Sequence, residues 1–287
     1  MREGWPVASV VIPAHDEERS IARCLDALLP QLAAGDEVVV ACNGCTDRTA
    51  AIARAYGRVV TVIELPTPSK VDALNAADRV VTSFPRLYLD ADVVLDAGVV
   101  RGLFAAVHEG AVDLAAPRVR YDLSRSSIVV RAYYRIWTRL PSVRDDTVGR
   151  GAFAMSRRGR DAFEAFPDVL GDDHYAREQV PPERRGVVAE GYATVMPPRS
   201  VRALVRRRAR TVEGNRQVAE LGPVERAAAR ARRREWIGVV RRRPRLVPVV
   251  PLYVALSLLP RVVAAWRRWS GHSVGWGRDD SRSTSPR

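Results

Sequence analysis

The chain has 287 residues and a mass of 31.7 kDa, enough for one large domain with an appendage at roughly 100–200 residues per domain. Hydrophobic residues make up 47% and charged residues 28%, which excludes wholesale disorder and collagen-like repetition and allows a full core without staples. The formal charge of +13 is concentrated: residues 1–198 carry a net −3, residues 199–245 a net +12 and residues 246–287 a net +4. A near-neutral body therefore carries a basic extension, and its implied neighbour is a polyanion: nucleic acid, an anionic membrane face or phosphate-bearing substrates. Three cysteines, Cys24, Cys42 and Cys45, are too few for a disulfide scaffold and suit a reducing compartment. No basic segment followed by a long apolar run opens the chain, so no signal peptide is expected.

Residues 7–12 form an apolar, β-branched run ending at Pro13 and read as a buried strand. Asp16 offers an N-cap for a helix on which Ile21, Leu25, Leu28, Leu29 and Leu32 recur at helical spacing. Gly35-Asp36 predicts a turn and residues 37–41 a second strand. Asn43-Gly44-Cys45-Thr46-Asp47 predicts a tight turn into an alanine-rich helix around residues 48–56, and residues 59–65 read as a third strand. A loop with Pro66 and Pro68 leads to a helix near 70–82. Residues 86–89 form a fourth strand ending at Asp90-Ala91-Asp92, and a helix at about 96–109 precedes a strand at 113–119. This alternation predicts an α/β fold, a mostly parallel Rossmann-like sheet with helices on both faces. Ligands in such sheets bind beyond the carboxyl ends of the strands. Polar clusters at residues 15–18, 43–47 and 90–92 all fall there, on one edge.

Asp90 and Asp92 are two residues apart after an apolar run; on an extended segment both would face the same way. Their hard oxygens suit Mg²⁺ or Mn²⁺, whose shells are completed by water and substrate phosphate. The bland reading is a solvated loop or a helix N-cap pair. Glu17 can reach a nucleotide or cap the following helix, and Asn43 and Asp47 have the same two readings. Lys70, the only lysine in the chain, opens a helix where a cation can hold a phosphate. Gly171-Asp172-Asp173-His174 is a second acidic site; folded over the pocket, Asp173 can act as a general base toward an attacking hydroxyl, and otherwise it is an N-cap.

Three motifs are decoys by context. Cys42-Asn43-Gly44-Cys45 matches C-x-x-C but has no second pair and no His nearby in sequence, so zinc is not expected there. Gly149-Arg150-Gly151-Ala152-Phe153-Ala154 matches a relaxed dinucleotide fingerprint, yet mid-chain. Gly271-His272-Ser273-Val274-Gly275 matches a nucleophile elbow, but no His follows it.

Taken together, the clusters resemble those of the family 2 glycosyltransferases. The segment Val10-Val11-Ile12-Pro13-Ala14-His15-Asp16-Glu17 is similar to the family's opening, and Val38 through Thr49 to its second nucleotide-contacting turn. Lys70 with Ala73-Leu74-Asn75 resembles its Lys-x-x-Ala-x-Asn segment, Asp90-Ala91-Asp92 its metal-binding motif, Gly149 through Phe153 its acceptor-side loop, and Asp172-Asp173 its acid pair. The match runs over about residues 7–215 in order. Cys42 stands where the family often has Asp, and the family's Gln-x-x-Arg-Trp motif is echoed only by Arg207-Arg208-Ala209-Arg210-Thr211. The resemblance implies an inverting enzyme of the GT-A fold that moves a sugar from a nucleotide-diphosphate sugar to an acceptor hydroxyl. It further implies nucleotide contacts from Pro13, Ala14, Glu17, Asn43, Lys70, Asp90 and Arg210, acceptor-side roles for Gly151 and Asp172, Mg²⁺ or Mn²⁺ on Asp90 and Asp92, and Asp173 as catalytic base.

In the extension, residues 246–260 carry no charge, and Arg261 interrupts the run before Val262 to Trp266. Fifteen residues fall short of the roughly 20 that span a bilayer, and three prolines interrupt them. Arginines at 241–245 and 261–268 bracket the stretch, with Trp266 and Trp269 as interfacial anchors. The reading is a monotopic or re-entrant contact with the cytoplasmic membrane face, over a true span or a soluble helical hairpin. Such a contact suits a lipid-linked or glycan acceptor and a cytoplasmic, peripheral location. The expected domains are 1–215 for the catalytic body, 216–269 for the basic helical extension and 270–287 for a disordered tail. Two other readings compete. An Arg-rich nucleic-acid binder lacks interleaved aromatics, since Trp236 alone stands between 199 and 245, so no nucleic-acid partner is expected. A sugar nucleotidyltransferase lacks the glycine-rich phosphate loop after the first strand.

Overall fold

The computed structural model describes residues 7–144, 146–147, 149–222 and 235–270; the expected tail from residue 271 and the Gly271–Gly275 motif lie outside them. The chain divides into two compact units, one holding residues 1–121, 147–168 and 172–196, the other residues 122–146, 169–171 and 197–287.

The first unit is built on eight strands: β1 (Ser9–Ala14), β2 (Glu37–Asn43), β3 (Thr61–Leu65), β4 (Arg86–Leu89), β5 (Val94–Leu95), β6 (Leu114–Tyr121), β7 (Ala152–Met155) and β8 (Arg185–Val195). They form one sheet in the order β3-β2-β1-β4-β7-β6-β8-β5. β3, β2, β1 and β4 are mutually parallel, as the alternating pattern requires. Beyond them the sheet is mixed. β7, which the sequence reading leaves out, runs antiparallel to both β4 and β6, β6 pairs parallel with β8, and β5 closes the edge antiparallel to β8.

Among the described residues the helices are α1 (Ile21–Leu28), α2 (Thr49–Arg54), α3 (Lys70–Asp78), α4 (Val99–His108), α5 (Ile128–Trp137), α6 (Pro141–Arg144), α7 (Arg157–Arg160), α8 (Asp172–Glu178), α9 (Val201–Leu221), α10 (Glu235–Arg241) and α11 (Val250–Trp269). Helices on both faces explain why β1 is buried at every position. Its side chains alternate between two cores: Val10 and Ile12 join the one packed with α1 and α4, and Val11 the one packed with α3 and α8.

One buried ionic network fixes α3 to this sheet. Asp78 accepts from Arg86 Nη1 at 2.8 Å, from Arg160 Nε at 2.9 Å and from the Tyr88 hydroxyl at 2.9 Å. Burial together with the Asp78 carboxylate holds the Tyr88 hydroxyl well above the usual tyrosine range.

In the second unit Tyr133 of α5 stacks on Tyr253 of α11 with ring centroids 5.3 Å apart, and Glu213 of α9 accepts from Arg268 at 2.9 Å. α9 runs unbroken across residue 215. Tyr253, Leu256, Pro260 and Ala264 make the buried stripe of α11. Its other side carries exposed Leu258, Leu259, Val262, Trp266 and Trp269. The stretch Pro244–Trp269, 26 residues holding an 18-residue window of mean hydropathy 1.9, is long and apolar enough to cross a membrane by length and composition.

Replacing Asp78 with Ala would strand two buried guanidinium groups. Urea denaturation should show a loss of about 3–5 kcal/mol, and a loss within error would remove this network from the account of stability.

Candidate active site

The carboxyl ends of β1, β2 and β4 all open on one side of the sheet because those strands are parallel. α3 begins there for local reasons. Pro66 and Pro68 precede it, and the Ser69 hydroxyl caps it by accepting Asp72 N at 3.1 Å. Lys70 is thereby its first helical residue, and its ammonium reaches two carboxylates, Asp90 Oδ1 at 2.8 Å and Asp172 Oδ2 at 3.0 Å. Asp173, the next residue of α8, accepts from Gly149 N and from His174 N, the latter at 2.8 Å.

Three carboxylates and one ammonium therefore converge. Burial pulls the Lys70 ammonium toward release of its proton, but Asp172, Asp90 and Asp173 outweigh that and hold its pKa above the ordinary lysine value. Asp172 is pushed up to about 6, by burial first and by Asp173 and Asp90 beside it, with Lys70 acting in the opposite sense.

Asp90 and Asp92 do not lie on an extended segment, so alternation cannot align them as the sequence argument supposed. Asp90 O accepts Val93 N at 3.1 Å, a turn with Ala91 packed inside. Asp90 is part-exposed and Asp92 half-buried. Gly149 and Gly151 both adopt left-handed backbone, at φ +69. At Gly151 a Cβ would strike the Val93 side chain and come within 3.3 Å of Asp90 Oδ2. The missing side chain lets Val93 and the chain pack closely beside that carboxylate, and Asp90 N donates to Gly151 O at 2.8 Å across the β4–β7 pair. By donor chemistry, Asp90 and Asp92 offer the hard carboxylate oxygens that Mg²⁺ or Mn²⁺ takes one or two at a time, completing its shell with substrate phosphates.

The other predicted residues behave differently. Asn43 is fully buried, and both ends of its amide are engaged: Nδ2 donates to Ala14 O at 2.9 Å and Oδ1 accepts Ser69 N at 3.1 Å. It ties the tips of β1 and β2 to the cap of α3, and so positions Lys70. Pro13 and Ala14 are buried at the end of β1. Glu17 accepts the Ser20 hydroxyl, while its N–H donates to Thr49 Oγ1 at 2.7 Å. Asp16 does not cap α1, whose N-cap is Ser20; it turns at φ 52 and accepts Thr46 N at 2.7 Å. Arg210 lies half-buried on α9, in the second unit. The sequence reading missed Gly149 as the donor to Asp173 and the Lys70–Asp172 pair; the glycine at a mid-chain turn was the available signal for the first.

With Lys70→Met, Asp172 would sit buried beside two like charges without its cation. Its pKa, already above the unfolded value of about 3.9, would rise further, so the folded state would bind its proton more tightly. Stability then falls as pH rises through that range, and chemical denaturation should show a larger loss at about pH 8 than at about pH 5. An equal loss at both would detach Lys70 from Asp172.

Comparison with known proteins gives the context of this geometry. The profile of the family described as Glycosyl transferase family 2 matches residues 9–163. Uncharacterized glycosyltransferases of Mycobacterium tuberculosis and Mycobacterium bovis are 37% identical over 112 residues, 39% of this chain and 48% of theirs, so the aligned segment spans about half the length of these curated relatives. Among solved structures, glucosyl-3-phosphoglycerate synthase from M. tuberculosis with Mn²⁺, UDP and glucosyl-3-phosphoglycerate shares 22% identity at a TM-score of 0.52, covering 71% of this chain and 80% of its own. A mannosyltransferase from Pyrobaculum calidifontis with GDP-Man and Mn²⁺ reaches a TM-score of 0.59 at 18% identity, covering 97% of this chain and 78% of its own. At these identities the likeness is one of fold.

Proposed function

The chain belongs to glycosyl transferase family 2, and from that premise we propose that it transfers a sugar from a nucleoside-diphosphate sugar to an acceptor hydroxyl, with inversion at the anomeric carbon. The observation that carries this reading is the meeting of Lys70, Asp90, Asp172 and Asp173 at the open ends of parallel strands. Glucosyl-3-phosphoglycerate synthase has been solved with UDP-glucose and the Pyrobaculum mannosyltransferase with GDP-Man, both nucleoside-diphosphate sugars.

In this reading Asp90 and Asp92 hold Mg²⁺ or Mn²⁺, which when bound neutralises charge on the departing diphosphate. Lys70 adds a fixed positive charge at the same place and holds Asp172 in register. Asn43 acts on the nucleotide site through the loops it ties together, with Pro13, Ala14 and Glu17 forming the neighbouring tip. Asp173, oriented by Gly149 N–H, takes the proton of the acceptor hydroxyl on the side opposite the leaving group. Gly151 lets the chain pass close beside Asp90 on the acceptor side.

General-base assistance is worth roughly 10²–10⁴ in rate, so Asp173→Asn should lose that much turnover while donor affinity stays close to wild type. Wild-type turnover in this variant would remove Asp173 from the chemistry. Asp92→Ala should lose the Mn²⁺-dependent part of donor binding in calorimetry; unchanged affinity would refute the metal assignment. A thermal-shift screen of sugar nucleotides with and without Mn²⁺ identifies the donor.

The second unit supports a peripheral membrane role and, with it, a lipid-linked or glycan acceptor at the cytoplasmic face. Leu258, Val262, Trp266 and Trp269 recur on one exposed side of α11, and exposed Arg241, Arg242, Arg243, Arg245 and Arg261 flank them. An apolar stripe with interfacial tryptophans and a basic border suits an anionic bilayer surface. Flotation with anionic vesicles at low salt should carry the protein upward, and the Trp266→Ser, Trp269→Ser double variant should stay behind. Equal partitioning of the two would end the membrane reading.

A further inference from the structure

The C-x-x-C turn after β2 has no histidine near it in sequence, but the fold supplies one. His15, at the tip of the neighbouring strand β1, and Asp16 meet Cys45 so that one ligand atom of each lies within 4.8 Å of the others. His15 Nε2 and Asp16 Oδ2 are 4.0 Å apart, and their side chains are 14% and 11% exposed.

Three further features point to a built cation site. The His15 ring places Nδ1 2.7 Å from Asn43 O. In the neutral ring Nδ1 must carry the hydrogen to make that contact, which puts the lone pair on Nε2; metal-ligating histidines make the same kind of bond to a carbonyl through their other ring nitrogen. The Asp16 carboxylate is held in turn, its Oδ1 accepting Thr46 N at 2.7 Å. Finally, Asp16 is the one non-glycine residue with positive φ among those described, a left-handed conformation that costs on the order of 1 kcal/mol and that here sets the carboxylate beside the ring.

We propose that His15 Nε2, Asp16 Oδ2 and Cys45 Sγ form a Zn²⁺ site distinct from the Asp90–Asp92 pair. Zinc bonds of 2.0–2.3 Å place tetrahedral ligands roughly 3.5 Å apart, a contraction of about 1 Å that side-chain rotation supplies. Imidazole and thiolate favour zinc over Mg²⁺ or Mn²⁺, and the all-oxygen pair favours the reverse. Three protein donors leave the fourth position for water or an exogenous ligand. The site needs no assumption about the sugar-transfer reaction.

The full-length protein, reduced and stripped with a chelator, is titrated with Zn²⁺ against a chromophoric chelator and, separately, with Co²⁺. Wild type should bind one Zn²⁺ per chain, and its Co²⁺ adduct should show a thiolate charge-transfer band. Cys45→Ser and His15→Gln should each weaken Zn²⁺ binding by about 100-fold or more, with unchanged metal-free melting showing that the fold is intact. Asp92→Ala should bind Zn²⁺ as wild type does. Absence of stoichiometric binding, a Co²⁺ adduct without the thiolate band, retention of affinity by Cys45→Ser, or its loss in Asp92→Ala would each overturn the site.

Discussion

A single ammonium group organises the strand-end edge of the sheet. Lys70 bridges Asp90 from the end of β4 and Asp172 from the start of α8, so three segments distant in sequence are held by one charge. With Asp173 alongside, three carboxylates face one cation. Gathering them without it would cost several kcal/mol of desolvation and repulsion. The Asp172 pKa is raised by burial first and then by Asp173 and Asp90, against Lys70, and three carboxylates to one ammonium leave a surplus of negative charge. That surplus gives the edge an affinity for further positive charge, which an all-neutral rim would lack.

The surrounding backbone is arranged to keep these groups in place. Asn43 spends its amide on Ala14 O and Ser69 N, so the turn that starts α3 cannot shift without breaking buried hydrogen bonds. Gly151 lets the chain pass close to Asp90 where a methyl group would collide with Val93. Gly149 presents its N–H to Asp173 from a left-handed turn. Polar side chains here are thus used mainly to fix main chain, and the main chain in turn aims a few charged groups.

How much of this was legible beforehand follows from the range of each interaction. The parallel half of the sheet could be read because strands buried on both faces must be apolar at every position, as β1 is. Lys70, Asp90, Asp172 and Asp173 were legible as candidates through their places at element ends, but their pairing was not, since nothing local says that Lys70 meets Asp172. Asp90 and Asp92 were singled out on an extended-strand argument, whereas the chain turns at Ala91. Asn43 looked like a ligand contact because sequence does not reveal whether an amide's hydrogen bonds are already satisfied inside. β7 escaped because Ala152 to Met155 is four residues long and takes its partners, β4 and β6, from far along the chain. His15 and Cys45, 30 positions apart, escaped for the same reason.

The uneven charge of the chain follows a physical division of labour. The first unit is close to neutral or slightly acidic, so its local field is set by a few placed groups and is not swamped by net charge. The arginines accumulate in the second unit, where α11 buries Tyr253, Leu256, Pro260 and Ala264 and leaves Leu258, Val262, Trp266 and Trp269 outside. Among the described residues α11 thus packs on one side and leaves an apolar side exposed. Arginine tolerates that position well, because its aliphatic stem lies along apolar surface while the guanidinium stays among phosphates or water. Attraction to an anionic surface falls off within about 10 Å at ordinary salt, whereas apolar burial acts only on contact. The proposed membrane association therefore combines a salt-sensitive approach with a salt-insensitive seat.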